Sequence, residues 1–306
     1  MSHLIEKTRG VNGTNLQKEM EVGERDKESR ELFSYESLVQ DGRFISFVEL
    51  IRSEGEVLFT EAGREYVVLK PSDFENIDQR IGFCLFANLC FGTDMGFAGT
   101  NVIDRNEGRV KVMMEGGTPV AFLGEKKVED PFGRLVYYLD IVGVLPGTRG
   151  KGRGSLLGKV ALEYEVGNTD KDIVFISRTQ NPVLVGMARR MLPEGVDLVP
   201  FWTEPGLELI ESVNWFEKSG LMSRNSRSDT HFDAYGSFIH WGAYGFKGDG
   251  TTWENMIKKY AAEIDWESQA GREMRAYLVK QRSSLEEALI KGHAFIIAAY
   301  INKLNK

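Results

Sequence analysis

The stretch that decides the fold is Arg149-Gly150-Lys151-Gly152-Arg153-Gly154-Ser155. It follows an apolar, strand-like run at residues 135–145 and precedes a run with helical spacing at residues 156–166. Glycine at every second position leaves the backbone N–H groups bare, while three interleaved cations and the start of a helix add positive charge. The stretch therefore predicts a cradle for a phosphate group between a strand and a helix.

Two other phosphate-binding loops do not fit this spacing. A P-loop requires G-x-x-x-x-G-K-[ST], but here Gly147 and, after four intervening residues, Gly152 are followed by Arg153. A dinucleotide-binding fold requires G-x-G-x-x-G and an acidic residue at the end of the next strand. This loop instead reads G-x-G-x-G, and the next strand-like run, at residues 173–177, ends before Arg178. Both departures weigh against a nucleotide-cofactor oxidoreductase.

The pattern R-G-x-G-x-G after a strand that ends Val144-Leu145-Pro146 resembles motif A of the GCN5-related N-acetyltransferases, the GNAT family. The likeness covers residues 80–192, because strand-like runs precede the loop and a strand and an amphipathic segment follow it. The resemblance implies an α/β fold with a GNAT-like mixed, splayed β-sheet flanked by helices. It also implies that acetyl-CoA is the co-substrate and that the loop binds its pyrophosphate.

The resemblance assigns roles to the backbone around the loop. It implies that the cofactor is bound by Arg149, Gly150, Lys151, Gly152, Arg153, Gly154 and Ser155. The backbone N–H of Val142 or Val144 would polarise the thioester carbonyl. Asn181 would contact the pantetheine arm, although the sequence Asn181-Pro182 is also fully explained as a helix N-cap and a first-turn proline.

Asp140 is the candidate general base. Alternation along the strand places Asp140 on one face with Val136 and Tyr138, and because both faces are mostly apolar the strand is expected to be central. A carboxylate there is costly unless it is paired, exposed in a cleft or raised in pKa. The resemblance implies that Asp140 takes a proton from the attacking amine; the alternative is a structural aspartate bonded to N–H groups or to an arginine.

The candidate general acid is Tyr235. The family places a tyrosine shortly after the helix that begins at Pro182, but this chain continues Met191-Leu192-Pro193-Glu194-Gly195. An aromatic, glycine-rich stretch at residues 232–246 predicts a hairpin that completes the sheet. Tyr235 is favoured over Tyr244 as proton donor to the CoA thiolate because it lies nearer to that hairpin.

These observations predict an acyl-CoA-dependent N-acyltransferase that moves an acetyl group to a small-molecule or peptide amine by direct attack. The missing tyrosine and the long C-terminal region leave an alternative, a catalytically inactive CoA-binding protein with a regulatory or interaction role. The chain has 306 residues, 42% of them hydrophobic, and a formal charge of −7, which argues against nucleic acid as a partner.

The sequence also predicts a cytoplasmic protein without membrane contact. It shows no signal-peptide pattern and no apolar run long enough to span a bilayer. Cys84 and Cys90 lie in an apolar stretch and no cysteine or histidine cluster has metal-ligand spacing, so buried thiols are expected rather than a disulfide or a metal site.

Three regions are predicted along the chain. Residues 1–32 are polar and hold no aromatic residue, which is typical of a flexible arm, and residues 33–250 form the acyltransferase core. Residues 251–306 are expected to be a helical extension that caps the core or forms a homodimer surface. Its helices would begin at the capping boxes Thr251-x-x-Glu254 and Ser284-x-x-Glu287, and the second would bury Leu285, Leu289, Ile296 and Tyr300.

Overall fold

The computed structural model describes residues 35–91, 103, 109–179, 181–201, 203–222, 231–233, 237–241, 265–281, 288 and 294–303. The predicted arm at residues 1–32, the helix predicted after Thr251, and both Tyr235 and Tyr244 lie outside the described residues. The helices are α1 (Tyr35–Leu38), α2 (Gly42–Glu54), α3 (Ile77–Phe91), α4 (Arg153–Gly167), α5 (Pro182–Met191), α6 (Leu207–Lys218) and α7 (Gln269–Lys280). The strands are β1 (Glu56–Glu61), β2 (Arg64–Leu69), β3 (Arg109–Glu115), β4 (Thr118–Glu129), β5 (Leu135–Val144), β6 (Ile173–Thr179), β7 (His231–Asp233), β8 (Ser237–Trp241) and β9 (Ala294–Ile301).

The chain divides into two compact units, and the first consists of Met1–Phe122 and Gly143–Arg149. In this unit β2 pairs antiparallel with β1 and with β3. An aromatic core joins α2, α3 and the start of β4: the ring of Phe83 lies 5.5 Å from that of Phe47 and 5.2 Å from that of Phe122. These contacts explain the apolar spacing of residues 77–89, which predicts the helix that the structure shows as α3.

The second unit consists of Leu123–Val142 and Gly150–Lys306. Its strands follow the order β4-β5-β6-β9-β8-β7, in which β5 and β6 are parallel while β6-β9, β9-β8 and β8-β7 are antiparallel. Helix α6 covers one face of this sheet, where Phe216 packs against Tyr138 with ring centroids 5.1 Å apart. The mixed sheet with flanking helices confirms the predicted fold class.

The C-terminal region contains a helix and a final strand. Helix α7 begins after Ser268, whose hydroxyl accepts a hydrogen bond from the backbone N–H of Gly271. The helical stripe predicted to include Ile296 and Tyr300 is wrong, because Ala294–Ile301 forms strand β9 between β6 and β8. Almost every residue of β9 is buried, and a continuous apolar run in a strand covered on both faces lacks the alternation that would distinguish it from a helix.

A buried ion pair ties the β4-β5 turn to α6. The Arg134 guanidinium donates to Asp130 at 2.8 Å and to the backbone carbonyl of Glu208 at 2.8 Å, and the Ser212 hydroxyl donates to Asp130 at 2.5 Å. Burial by itself would raise the pKa of Asp130, but the hydrogen bonds from Ser212 and Arg134 outweigh burial and hold this pKa below its ordinary value.

No helix among the residues described here combines the length and the apolar character needed to cross a membrane.

We expect Asp130→Ala to lower the free energy of unfolding by about 3–5 kcal/mol, because it leaves the Arg134 guanidinium buried without its carboxylate. Glu163→Ala is the matched control. It breaks the solvent-exposed pair of Lys159 and Glu163, whose charged atoms are 3.7 Å apart, and should cost less than about 1 kcal/mol. Urea unfolding of both variants checks the difference, and equal losses would contradict a stabilising role for the buried pair.

The same carboxylate gives a pH dependence. Because its pKa is lowered by folding, Asp130 adds stability that is present above the unfolded pKa of about 3.9 and is lost as the pH falls through the folded value. Urea unfolding at a series of pH values below 5 should therefore show a steeper loss for the unmodified protein than for Asp130→Asn. Parallel curves would assign the acid sensitivity to other groups.

Candidate functional site

Strands β5 and β6 are paired only at their beginnings. The parallel register joins Leu135–Leu139 to Ile173–Ser177, whereas β5 continues to Val144 and β6 to Thr179. The hydroxyl of the buried Ser177 donates to the backbone carbonyl of Leu139 at 2.8 Å, at the last paired position. Beyond this point β5 changes from buried to partly exposed at Asp140, Ile141 and Val142. The pairing of the two strands therefore ends before either strand does, which is consistent with the splay that the resemblance implies.

A β-bulge lies in β5 at this opening. The backbone N–H of Asp130 donates to Arg134 at one end of the β4-β5 hairpin, and the N–H of Leu145 donates to Val120 at the other. Between these two bonds β5 has one residue more than β4, which defines a bulge. Since β5 pairs regularly with β6 through Leu139, and a Cβ on Gly143 would meet the Phe122 ring, the extra residue lies between Leu139 and Gly143. This is the part of β5 that holds Asp140 and Val142.

The predicted phosphate loop connects β5 to α4. Gly150 and Gly152 have φ values of +75° and +72°, and a Cβ on either would have no atom within 4 Å. Glycine is therefore favoured at these two positions because the backbone is left-handed, and not because a side chain would lack space. Gly152 is the N-cap of α4, and Gly150, Lys151 and Gly152 are exposed. Because the first N–H groups of a helix have no partner within it, the loop presents donors and two exposed or half-buried cations, Lys151 and Arg153, to an anion.

Arg149 and Arg190 take different positions at the loop. The Arg149 guanidinium donates to the backbone carbonyls of Cys90 at 2.5 Å and Val144 at 3.3 Å, so within the first unit it holds the end of α3 and the end of β5. In the second unit, Nε of Arg190 on α5 donates to the Ser155 hydroxyl in the first turn of α4 at 3.2 Å. The motif includes Arg149 but not Arg190, which no spacing in the sequence connects to the loop.

Asn181 is confirmed as a helix cap. Its side chain accepts a hydrogen bond from the N–H of Val183 at 2.9 Å, and its own N–H donates to the hydroxyl of Thr179 at 2.8 Å. The start of α5 is thus fixed directly to the end of β6. A role for Asn181 toward pantetheine stays a prediction, as do the roles of Asp140, Val142, Val144 and the loop residues.

The site holds no metal centre in the part of the chain that the structure describes. No group of three or more histidine, cysteine, aspartate or glutamate side chains there is arranged to hold a metal ion. Cys84 and Cys90 are free and buried, and burial raises the pKa of the Cys90 thiol far above its ordinary value. Neither cysteine therefore has the character of a reactive thiolate.

Three acetyltransferases are among the solved structures that the chain resembles. The ribosomal-protein-alanine N-acetyltransferase of Brucella melitensis biovar Abortus 2308 is 16% identical over 37% of this chain and 78% of its own, with a TM-score of 0.29. A GNAT-family acetyltransferase from Streptococcus pneumoniae is 14% identical over 46% of this chain and 93% of its own, with a TM-score of 0.29. Arabidopsis thaliana Naa50, in complex with the bisubstrate analogue CoA-Ac-MVNAL, is 18% identical over 31% of this chain and 62% of its own, with a TM-score of 0.25.

At such identities and TM-scores the matches span part of the chain and identify neither its family nor a residue of the site. No family model matches the sequence. No curated protein matches it either.

We expect Gly152→Asp to bind acetyl-CoA at least tenfold more weakly than Gly152→Asn, a difference of about 1.4 kcal/mol. Aspartate and asparagine adopt the left-handed backbone conformation more readily than most residues, and either side chain has open space at position 152. The two variants therefore differ chiefly in charge. The comparison therefore isolates the repulsion between a carboxylate and a bound phosphate. Isothermal titration of the two folded variants measures it, and equal affinities would remove the phosphate-binding role of the loop.

Proposed function

We propose that the chain is an acyl-CoA-dependent N-acyltransferase that transfers an acetyl group from acetyl-CoA to an amine. The observation that carries this proposal is the continuity of three features along the chain. The β5-β6 pairing ends at Leu139, a bulged and partly exposed strand follows, and this strand leads into a loop whose backbone suits a pyrophosphate. An extended ligand arm can hydrogen-bond like a strand only where two strands part, and a pyrophosphate needs N–H donors close by.

Residues of this chain would divide the chemistry among them. Acetyl-CoA supplies the activated acyl group as a thioester. The backbone N–H of Val142 or Val144 would donate to the thioester carbonyl, where negative charge develops. Asp140 would accept the proton that the ammonium form of the acceptor must lose before it attacks. Tyr235 remains our candidate for the proton donor to the departing thiolate.

Support for Asp140 as the base comes from its position. It directly follows the last residue of β5 that pairs with β6, and it is half-buried. A carboxylate at the edge of a cleft can exchange its proton with solvent and with a bound amine, whereas one deep in a core cannot do so. This observation favours an active enzyme over the alternative, a CoA-binding protein without catalysis.

We expect Asp140→Asn to lower kcat by about 10²–10⁴-fold while acetyl-CoA affinity changes less than twofold, because the substitution removes a proton acceptor and leaves the loop intact. Asp170→Asn, an exposed change in the α4-β6 connection, is the control and should keep full turnover. Thiol release from acetyl-CoA across a panel of amines measures kcat, and calorimetry measures affinity.

Two results would contradict the role of Asp140. Full turnover of Asp140→Asn would place the base elsewhere, and loss of folding by circular dichroism would show that the carboxylate is structural. If the unmodified protein binds acetyl-CoA but releases no thiol with any amine, the non-catalytic alternative is correct.

A further inference from the structure

Two opposite charges flank the opening between β5 and β6. The last pair of the parallel register is Leu139 with Ser177, and the next residue on each strand is Asp140 on β5 and Arg178 on β6. Strand alternation places Arg178 on the sheet face of Ile176, which belongs to the core that α6 covers, and Asp140 begins the bulged part of β5. The opening therefore begins with a carboxylate on β5 and a guanidinium on β6.

Arg178 is unusual for an arginine because only 7% of it is exposed. Its pairing partner on β9 is Ile296, a fully buried residue of the same core. A cation in such apolar surroundings interacts with an anion more strongly than it would in water. Arginine also carries five N–H donors in a planar fork, so it can bond a neighbouring group and still bind a carboxylate.

The geometry points to an α-amino acid as the acyl acceptor, with Asp140 toward its amine and Arg178 toward its carboxylate. Paired strands lie about 4.8 Å apart, and β5 and β6 are no longer paired at these two residues. A molecule with amine and carboxylate on one carbon presents both charges over such a short span. This inference rests on the proposed acyltransferase function and names its class of acceptor.

The transfer balances with the residues present. The ammonium group of the amino acid gives one proton to Asp140, its nitrogen forms a bond to the acetyl carbon, and the bond from that carbon to sulfur breaks. The sulfur leaves as a thiolate with the electron pair of that bond, and the second amine proton passes to solvent as the amide forms. The carboxylate takes no part in these steps, so Arg178 is a specificity residue and not a catalytic one.

The first test compares acceptors on the unmodified protein. Each amino acid of a panel is assayed beside its α-carboxamide and its decarboxylated amine by thiol release from acetyl-CoA. We expect kcat/KM at least tenfold higher for some amino acid than for both of its analogues. An α-carboxamide has a less basic amine, with a pKa of about 8, so at neutral pH more of it is deprotonated and intrinsic reactivity favours the analogue. A preference for the amino acid must therefore come from binding the carboxylate.

The second test changes Arg178. Arg178→Gln should reduce the preference for the amino acid over its carboxamide to less than twofold, and Arg178→Lys should retain part of it. Acetyl-CoA affinity and turnover of the decarboxylated amine should stay within twofold. Arg189→Gln, at an exposed arginine of α5, is the control and should keep the full preference.

The outcomes separate this inference from the proposed function. Thiol release with carboxamides and simple amines at rates equal to those with amino acids would overturn the inference and leave the acyltransferase function standing. No thiol release with any amine would overturn both. Since the comparison of acceptors needs no variant, failure of Arg178→Gln to fold would still leave the inference testable.

Discussion

The site depends on unequal hydrogen bonding along the two edges of β6. On one edge β9 pairs with β6 from Ile173 to Thr179, and on the other β5 pairs only as far as Ser177. Because β9 keeps β6 regular to its end, β5 is the strand that departs, and the bulge between Leu139 and Gly143 is the local change that permits it. The Ser177 hydroxyl satisfies the carbonyl of Leu139 at the point of departure. What remains beyond Leu139 is a partly exposed stretch of β5 that is not paired with β6.

The opening and the predicted phosphate loop belong together because they are consecutive in the chain. From the bulge only a few residues of β5 remain before Pro146–Thr148 forms a single turn of 3₁₀-helix, and Gly150 and Gly152 then reverse the chain into α4. Left-handed glycines at two alternate positions turn successive N–H groups outward. A ligand with an extended arm and a pyrophosphate would meet these two features in the order in which the chain forms them.

Much of the fold and of the candidate site could be predicted from the sequence. The features that could not be predicted escaped prediction for identifiable physical reasons. The apolar spacing of residues 207–218 predicts a helix, and α6 has the same limits; Asn181-Pro182 contains a complete cap signal. Strand β9 has no such signal, because a run buried on both faces carries no periodicity. The hydrogen bond of Ser177 to Leu139 and the proposed role of Arg178 also could not be predicted. Each depends on the register between β5 and β6, and register is fixed by tertiary pairing that one sequence does not encode locally.

Two other carboxylates of the second unit are more buried than Asp140. Asp140 is therefore distinguished from them by its position and not by its burial. Glu165 on α4 is buried, but its carboxylate pairs with Nζ of Lys127 at 2.7 Å and joins the helix to β4. Glu125 is fully buried beside Tyr137; burial first, and then this carboxylate, raises the pKa of the tyrosine well above its ordinary value. Both acids are buried among packed elements, and neither lies where β5 leaves β6. Asp140 is less buried than either, yet it lies where β5 leaves β6. A carboxylate that must exchange protons with a ligand has to lie at such a boundary, where desolvation strengthens its contacts without trapping its proton.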